Sequence, residues 1–179
     1  MARLGQGVEA FKRNKSMTKR ALITGVTGQD GAYLSKHLLD LGYEVFGGIR
    51  CNSSGSAWRL ERLGIADKVK QIRLDVTDIN SVSFAVKETE PDEIYNLAAQ
   101  GHVGDSWAVP IQTREVNYSG ADNVFMCSGN ARVFQASTGE FFGGQPMPVD
   151  GFTESAQIKP ETPYGIAKAA AHFSAQVPI

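Results

Sequence analysis

Apolar residues follow two rhythms along this 179-residue chain. Short strand-like segments recur at Ala21–Thr24, Glu44–Ile49, Val69–Leu74, Ile94–Ala99 and Ala131–Ala136, the first of them nearly continuous in apolar residues and the third and last broken by Lys, Gln and Arg, and between them apolar positions fall at helical spacing. Runs without polar alternation are what a strand buried on both faces needs. The intervening helices are expected over Ala32–Gly42, Trp58–Gly64, about Thr77–Glu90, Gln112 to about Ser128, and Pro163–His172. Their ends carry matching signals: Gly42 as a C-cap, Asp78 and its polar neighbours as N-caps, and Pro91 as a stop. Arg50–Ser56 reads as a polar loop. Strands that alternate with helices from end to end call for right-handed crossovers, and so predict an α/β fold with a doubly wound parallel sheet. Residues 1–18 have no long periodic face and are expected to be a flexible extension; residues 19–179 form the domain.

Composition narrows the partners more than the fold. A net charge of −1 lacks the basic excess with which nucleic-acid binders displace counterions from phosphate. No apolar run approaches the ~20 residues that span a bilayer. Cys51 and Cys127 lie far apart in the chain, with neither a CxxC motif nor a histidine pair beside them, and the opening residues lack a secretory apolar segment. A cytoplasmic protein is the expectation. His37, His102 and His172 show no metal spacing, Trp58 and Trp107 read as packing residues, and Lys68 and Lys70 read as a solvated strand edge.

Between the first strand and first helix stands Gly25-Val-Thr27-Gly28-Gln29-Asp30-Gly31. The spacing is GxxGxxG, not GxGxxG, but the demands are those of a dinucleotide turn: unusual φ, close approach of backbone to phosphate, and tight helix packing. A glycine turn with no ligand is the plain alternative. About 20 positions further on, an acidic residue would accept from a ribose hydroxyl, whereas an arginine accommodates a 2′-phosphate. Here the second strand ends at Arg50, followed by Asn52 and Ser53, which favours NADP over NAD; a solvated arginine is the alternative. Asp75, closing the third strand, can accept from an adenine amino group. The domain therefore reads as Rossmann-like.

A second constellation lies near the other end, at Ser137-Thr138-Gly139-Glu140 and Tyr164-Gly-Ile-Ala-Lys168. Tyrosine and lysine four apart share one helix face, so the ammonium can stand beside the phenol and favour its deprotonated form, a usable base. Chance YxxxK pairs are common. After a glycine-rich βα unit and a hydroxyl residue at a strand end, this one carries weight.

Together these residues resemble the extended short-chain dehydrogenase/reductase family acting on nucleotide sugars. Within it, Ala21–Leu34, Trp58–Leu60, Ile94–Gln100 and Gln135–Thr138 resemble the GDP-mannose 4,6-dehydratases. The resemblance, over roughly residues 19–172, implies NADP bound by Gly25 to Gly31, Arg50, Asp75, Val76, Leu97, Ala98, Ala99 and Lys168. It implies redox-neutral dehydration of GDP-mannose, with Tyr164 as base at C4, Lys168 on the nicotinamide ribose, Thr138 orienting the hydroxyl and Glu140 serving C5 and C6. It also allows for a homo-oligomer. Gly101, Gly139 and Cys51 depart from the family's usual serines and arginine, and members continue well past the YxxxK helix, so the C-terminal substrate domain is expected to be missing. A related epimerase or reductase, or a non-catalytic NADP-binding domain, are the alternatives.

Overall fold

A computed structural model describes residues 18–50 and 57–177. The extension before Thr18 lies outside them. The elements are β1 (Arg20–Thr24), α1 (Gln29–Asp40), β2 (Glu44–Ile49), α2 (Trp58–Arg62), β3 (Lys70–Arg73), α3 (Ile79–Thr89), β4 (Glu93–Asn96), α4 (Pro110–Arg114), α5 (Gly120–Cys127), β5 (Arg132–Gln135) and α6 (Pro163–Ser174). The strands form one sheet in the order β3-β2-β1-β4-β5, every pair parallel. This is the doubly wound arrangement that the βα alternation predicts.

Successive residues of a strand face opposite sides of the sheet, so the apolar run of β1 serves two cores. Ala21 and Ile23 join Val26, Ala32, Leu38, Val45 and Leu60 on the side of α1 and α2. Leu22 joins Leu74, Val82, Ala85, Ile94 and Val124 on the side of α3 and α5. A polar alternation in β1 would have left one of these layers without a floor.

Boundaries moved where side chains compete for the backbone. The fourth strand ends at Asn96, short of the expected Ala99, because the N–H groups of Leu97 and Ala98 donate to Thr24 Oγ1 at 3.1 and 3.0 Å instead of continuing the ladder. The helix expected from Gln112 starts at Pro110 and contains a π-helical segment, Glu115–Ser119, between α4 and α5. Asp78 caps α3 by accepting from Asn80 N, as expected. Trp58 and Trp107 are corrections: neither packs into the core, at 45% and 64% exposure. The Trp58 ring is covered instead by the Arg59 guanidinium, 4.4 Å from its centroid. In the turn Asp105–Trp107, the buried anchor is Ser106. Lys70 stays exposed and pairs with Glu44.

The end of the sheet away from the site is tied by a charge network. Glu93, buried at the start of β4, accepts from Lys19 Nζ (3.2 Å), Tyr95 Oη (2.8 Å) and Arg132. Burial pushes its carboxyl up, but the hydrogen bonds from Tyr95, Arg132 and Lys19 prevail and hold it at about 2, against an ordinary 4.5. Tyr95 is pushed up to about 12 by its own burial and then by Glu93. A carboxylate depressed in the folded state contributes stability above its unfolded value and loses it as pH falls toward the folded one. Acidification from about 4.5 to about 2 should therefore remove about 2 kcal/mol. Urea midpoints measured across that range check this; in Glu93→Gln the decline should be correspondingly shallower.

Among the described residues no helix is long and apolar enough to cross a membrane, and no group of three or more His, Cys, Asp or Glu could hold a metal ion.

Candidate active site

The strand order reverses between β1 and β4, and the chain ends of open parallel sheets diverge at such a point to leave a crevice. Here it is a cleft of about 340 Å³. Its floor is the glycine turn with Gly25, Thr27 and Gly28; Arg50, Asp75 and Val76 form one wall, and Leu97, Ala98 and Ala99 the other.

Each glycine has a separate reason. Gly25 has φ +69, and a Cβ there would stand 3.0 Å from Ala98 N and Leu97 O, so the turn and the β4 exit touch through it. Gly28 is the N-cap of α1 and brings no capping side chain, so no side chain occupies the first-turn N–H groups, an arrangement that can accept an anion. Gly31 does not line the cleft; its missing side chain lets α1 lie against the turn, since a Cβ would meet Gly25 O at 2.5 Å and Val26 Cα at 2.7 Å. Gln29 lines a separate depression with Tyr33, Trp58 and Arg59, and Asp30 is exposed in the first turn of α1. Asn52 and Ser53 lie outside the described residues.

Several supports had no place in the sequence reading. Thr24, 1% exposed, accepts from the two β4-exit amides and stands 2.5 Å from Asn96 Oδ1, so one hydroxyl ties the end of β1 to the β4 wall of the cleft. Asn117, in the π-helical segment, accepts from Gln100 N and donates to Gln100 O. Gln100 Oε1 is buried with no hydrogen-bond partner among the described residues, beside the cleft that Gln100 lines. Arg59 Nη1 donates to Thr27 O at 3.1 Å, fastening α2 to the glycine turn. A buried polar atom without a partner and a backbone cradle that a Cβ would fill both fit a polar ligand with a phosphate.

The second constellation assembles beyond the end of β5. Thr138 caps a 3-10 turn, Gly139–Phe142, by accepting from Glu140 N at 3.2 Å. Thr162 caps α6 by accepting from Gly165 N at 2.9 Å, and its hydroxyl also reaches Glu140 Oε2 at 3.3 Å. That contact needs α6 close to the turn, and Gly165 allows it, because a Cβ there would stand 2.9 Å from Glu140 O. Thr162-Pro163 is a capping signature that the sequence could have yielded. Lys168 is 3% exposed, donates from Nζ to Ala136 O at 3.0 Å and stands 5.9 Å from the Tyr164 ring centroid. Burial pushes its ammonium down. Thr138, Glu140, Tyr164 and Lys168 are thus gathered by β5 and α6, as YxxxK and the strand-end hydroxyl suggest, but Lys168 does not line the glycine cleft.

A family model described as GDP-mannose 4,6 dehydratase matches residues 22–177. GDP-mannose 4,6 dehydratase 2 of Arabidopsis thaliana is 37% identical over 169 residues, 87% of this chain and 44% of that protein. The Homo sapiens GDP-mannose 4,6 dehydratase is 39% identical over 166 residues, 86% of this chain and 44% of that protein. The chain thus spans less than half the length of these relatives. Among solved structures, dTDP-glucose 4,6-dehydratase DesIV of Streptomyces venezuelae, with NAD and TYD bound, matches at TM-score 0.76 and 26% identity, over 87% of this chain and 50% of that one. The NAD complex of Thermus thermophilus UDP-glucose 4-epimerase matches at 0.75 and 29%, over 86% and 49%.

Proposed function

The chain belongs to the GDP-mannose 4,6-dehydratase family, and from that premise we propose that it carries the NADP cleft and catalytic groups of an enzyme that dehydrates GDP-mannose to GDP-4-dehydro-6-deoxy-mannose. The observation that supports this reading is the 3.3 Å contact between Glu140 Oε2 and the hydroxyl of Thr162, the residue that caps the helix carrying Tyr164 and Lys168. An epimerase or reductase needs no acid/base group at C5 and C6. A dehydratase does.

The glycine turn and the uncapped first turn of α1 would hold the pyrophosphate, Asp75 the adenine and Arg50 the 2′-phosphate. A bound nicotinamide would supply the hydride acceptor at C4 and the donor at C6, so the net reaction is loss of water. Tyr164 takes the proton of the C4 hydroxyl, with Lys168 Nζ 5.9 Å from its ring centroid. Thr138 orients that hydroxyl. With a ketone at C4 the C5 proton is acidic; Glu140 removes it and delivers a proton to the departing C6 hydroxyl, and the proton that Tyr164 took from the C4 hydroxyl is returned at C5, so that the balance is the loss of one water.

The test is incubation of the protein with GDP-mannose and NADP⁺ followed by product identification. The expected product has lost one water and carries a 4-keto, 6-deoxy hexose. An epimerised or reduced sugar points to a related nucleotide-sugar enzyme, and cofactor binding without turnover to a non-catalytic domain. A cytoplasmic location, the expectation from the sparse and widely separated cysteines, is proposed as well.

A further inference from the structure

Beside the cofactor cleft, and sharing Arg50, Leu74 and Asp75 with it, lies a second recess of about 680 Å³ at the outer edge of the sheet. Arg73 lines it together with Arg50. The two are brought together by the register of the last two strands on that side: Ile49 pairs with Arg73, and Leu74 N donates to Ile49 O at 2.9 Å. Arg50 leaves β2 as Arg73 closes β3. One oxygen of each carboxylate in the recess serves its own turn. Asp75 Oδ1 accepts from Thr77 N (3.0 Å) and Thr77 Oγ1 (2.8 Å), and Asp78 Oδ1 accepts from Asn80 N at 2.9 Å. Ser81 Oγ accepts from Asp75 N at 3.0 Å, which leaves its proton to donate.

A phosphate monoester carries close to two negative charges at neutral pH and three strong acceptor oxygens. One guanidinium neutralises about half of that and fills two acceptors at best. We propose that Arg73 is a second cation for the 2′-phosphate of NADP, closing on it from β3 while Arg50 holds it from β2, an assignment that rests on the cofactor reading above. Arg73 then acts in cofactor specificity and has no part in the chemistry at the sugar. β3 is the outermost strand, so the residue is exposed, and its replacement leaves both cores untouched.

The experiment is calorimetric titration of the protein, and of its Arg73→Ala, Arg73→Lys and Arg50→Ala variants, with 2′,5′-ADP and with 5′-AMP, which lacks the 2′-phosphate. Arg73→Ala should weaken 2′,5′-ADP by roughly five- to tenfold and leave 5′-AMP within twofold, while Arg73→Lys keeps part of the preference. Raising salt should narrow the gap between the intact protein and Arg73→Ala. If Arg73→Ala changes neither ligand, or weakens both alike, while Arg50→Ala is selective, the assignment to Arg73 is overturned and the NADP reading stands. If the unaltered protein does not distinguish 2′,5′-ADP from 5′-AMP, the NADP reading falls and takes this assignment with it.

Discussion

Replacement of Gly31 by alanine should destabilise the protein by about 2 kcal/mol and weaken dinucleotide binding at least tenfold. The added methyl would stand 2.5 Å from Gly25 O and 2.7 Å from Val26 Cα, both backbone atoms that no rotamer change can move. Overpacking against fixed atoms costs about 3 kcal/mol, whereas alanine in place of glycine within a helix returns about 1 kcal/mol, so the clash prevails. Relief can come only by moving the start of α1 away from the phosphate turn, which spoils the amide geometry at Gly28 and the contact of Gly25 with the β4 exit. Gly139→Ala is the control, because a Cβ there meets nothing within 4 Å. Urea midpoints and dinucleotide titrations measure both effects. A Gly31→Ala protein with the original midpoint and affinity would refute the packing argument.

Glu140→Gln should lower dehydration by about 10²- to 10⁴-fold, the usual span for a lost general acid/base. Glutamine keeps the volume and can still pair with Thr162, so the turn capped by Thr138 and the α6 N-terminus should stay in place and thermal stability should change little. The decisive readout is deuterium entry from solvent at C5 of the sugar, which the variant should abolish while Tyr164 and Lys168 remain intact. Tyr164→Phe should instead suppress the reaction at C4 as well. If Glu140→Gln turns over within twofold of the original, Glu140 has no part in the reaction and the epimerase or reductase reading gains.

Acid/base chemistry at a site of this kind depends on how closely its parts are held, and here they are held by small residues and hydroxyls. Gly165 brings α6 within reach of Glu140 O, and Thr162 serves both the helix cap and the carboxylate. Thr24 likewise ties β1 to the β4 exit. Such hydroxyls carry little sequence signal, because Ser and Thr occur in every loop and only their partners distinguish them.

What the chain determined on its own is what depends on local periodicity. Two-sided burial demands continuous apolar runs, helices demand spaced ones, and glycine, proline and Asp78 mark the boundaries, so the β-α order and the parallel sheet could be read directly. YxxxK and GxxGxxG were likewise legible, because each is a local spacing on one turn or one helix face. The tertiary structure alone decided which side chains from distant segments meet. It ended β4 early on Thr24, left Trp58 and Trp107 at the surface, set Glu140 against Thr162, fixed what Gly31 packs against, and brought Arg73 beside Arg50 through the register of β2 and β3. The physical reason is one of range: hydrophobic pattern is set by neighbours a few residues away, whereas the geometry of a site is set by contacts between segments that only the closed sheet brings together.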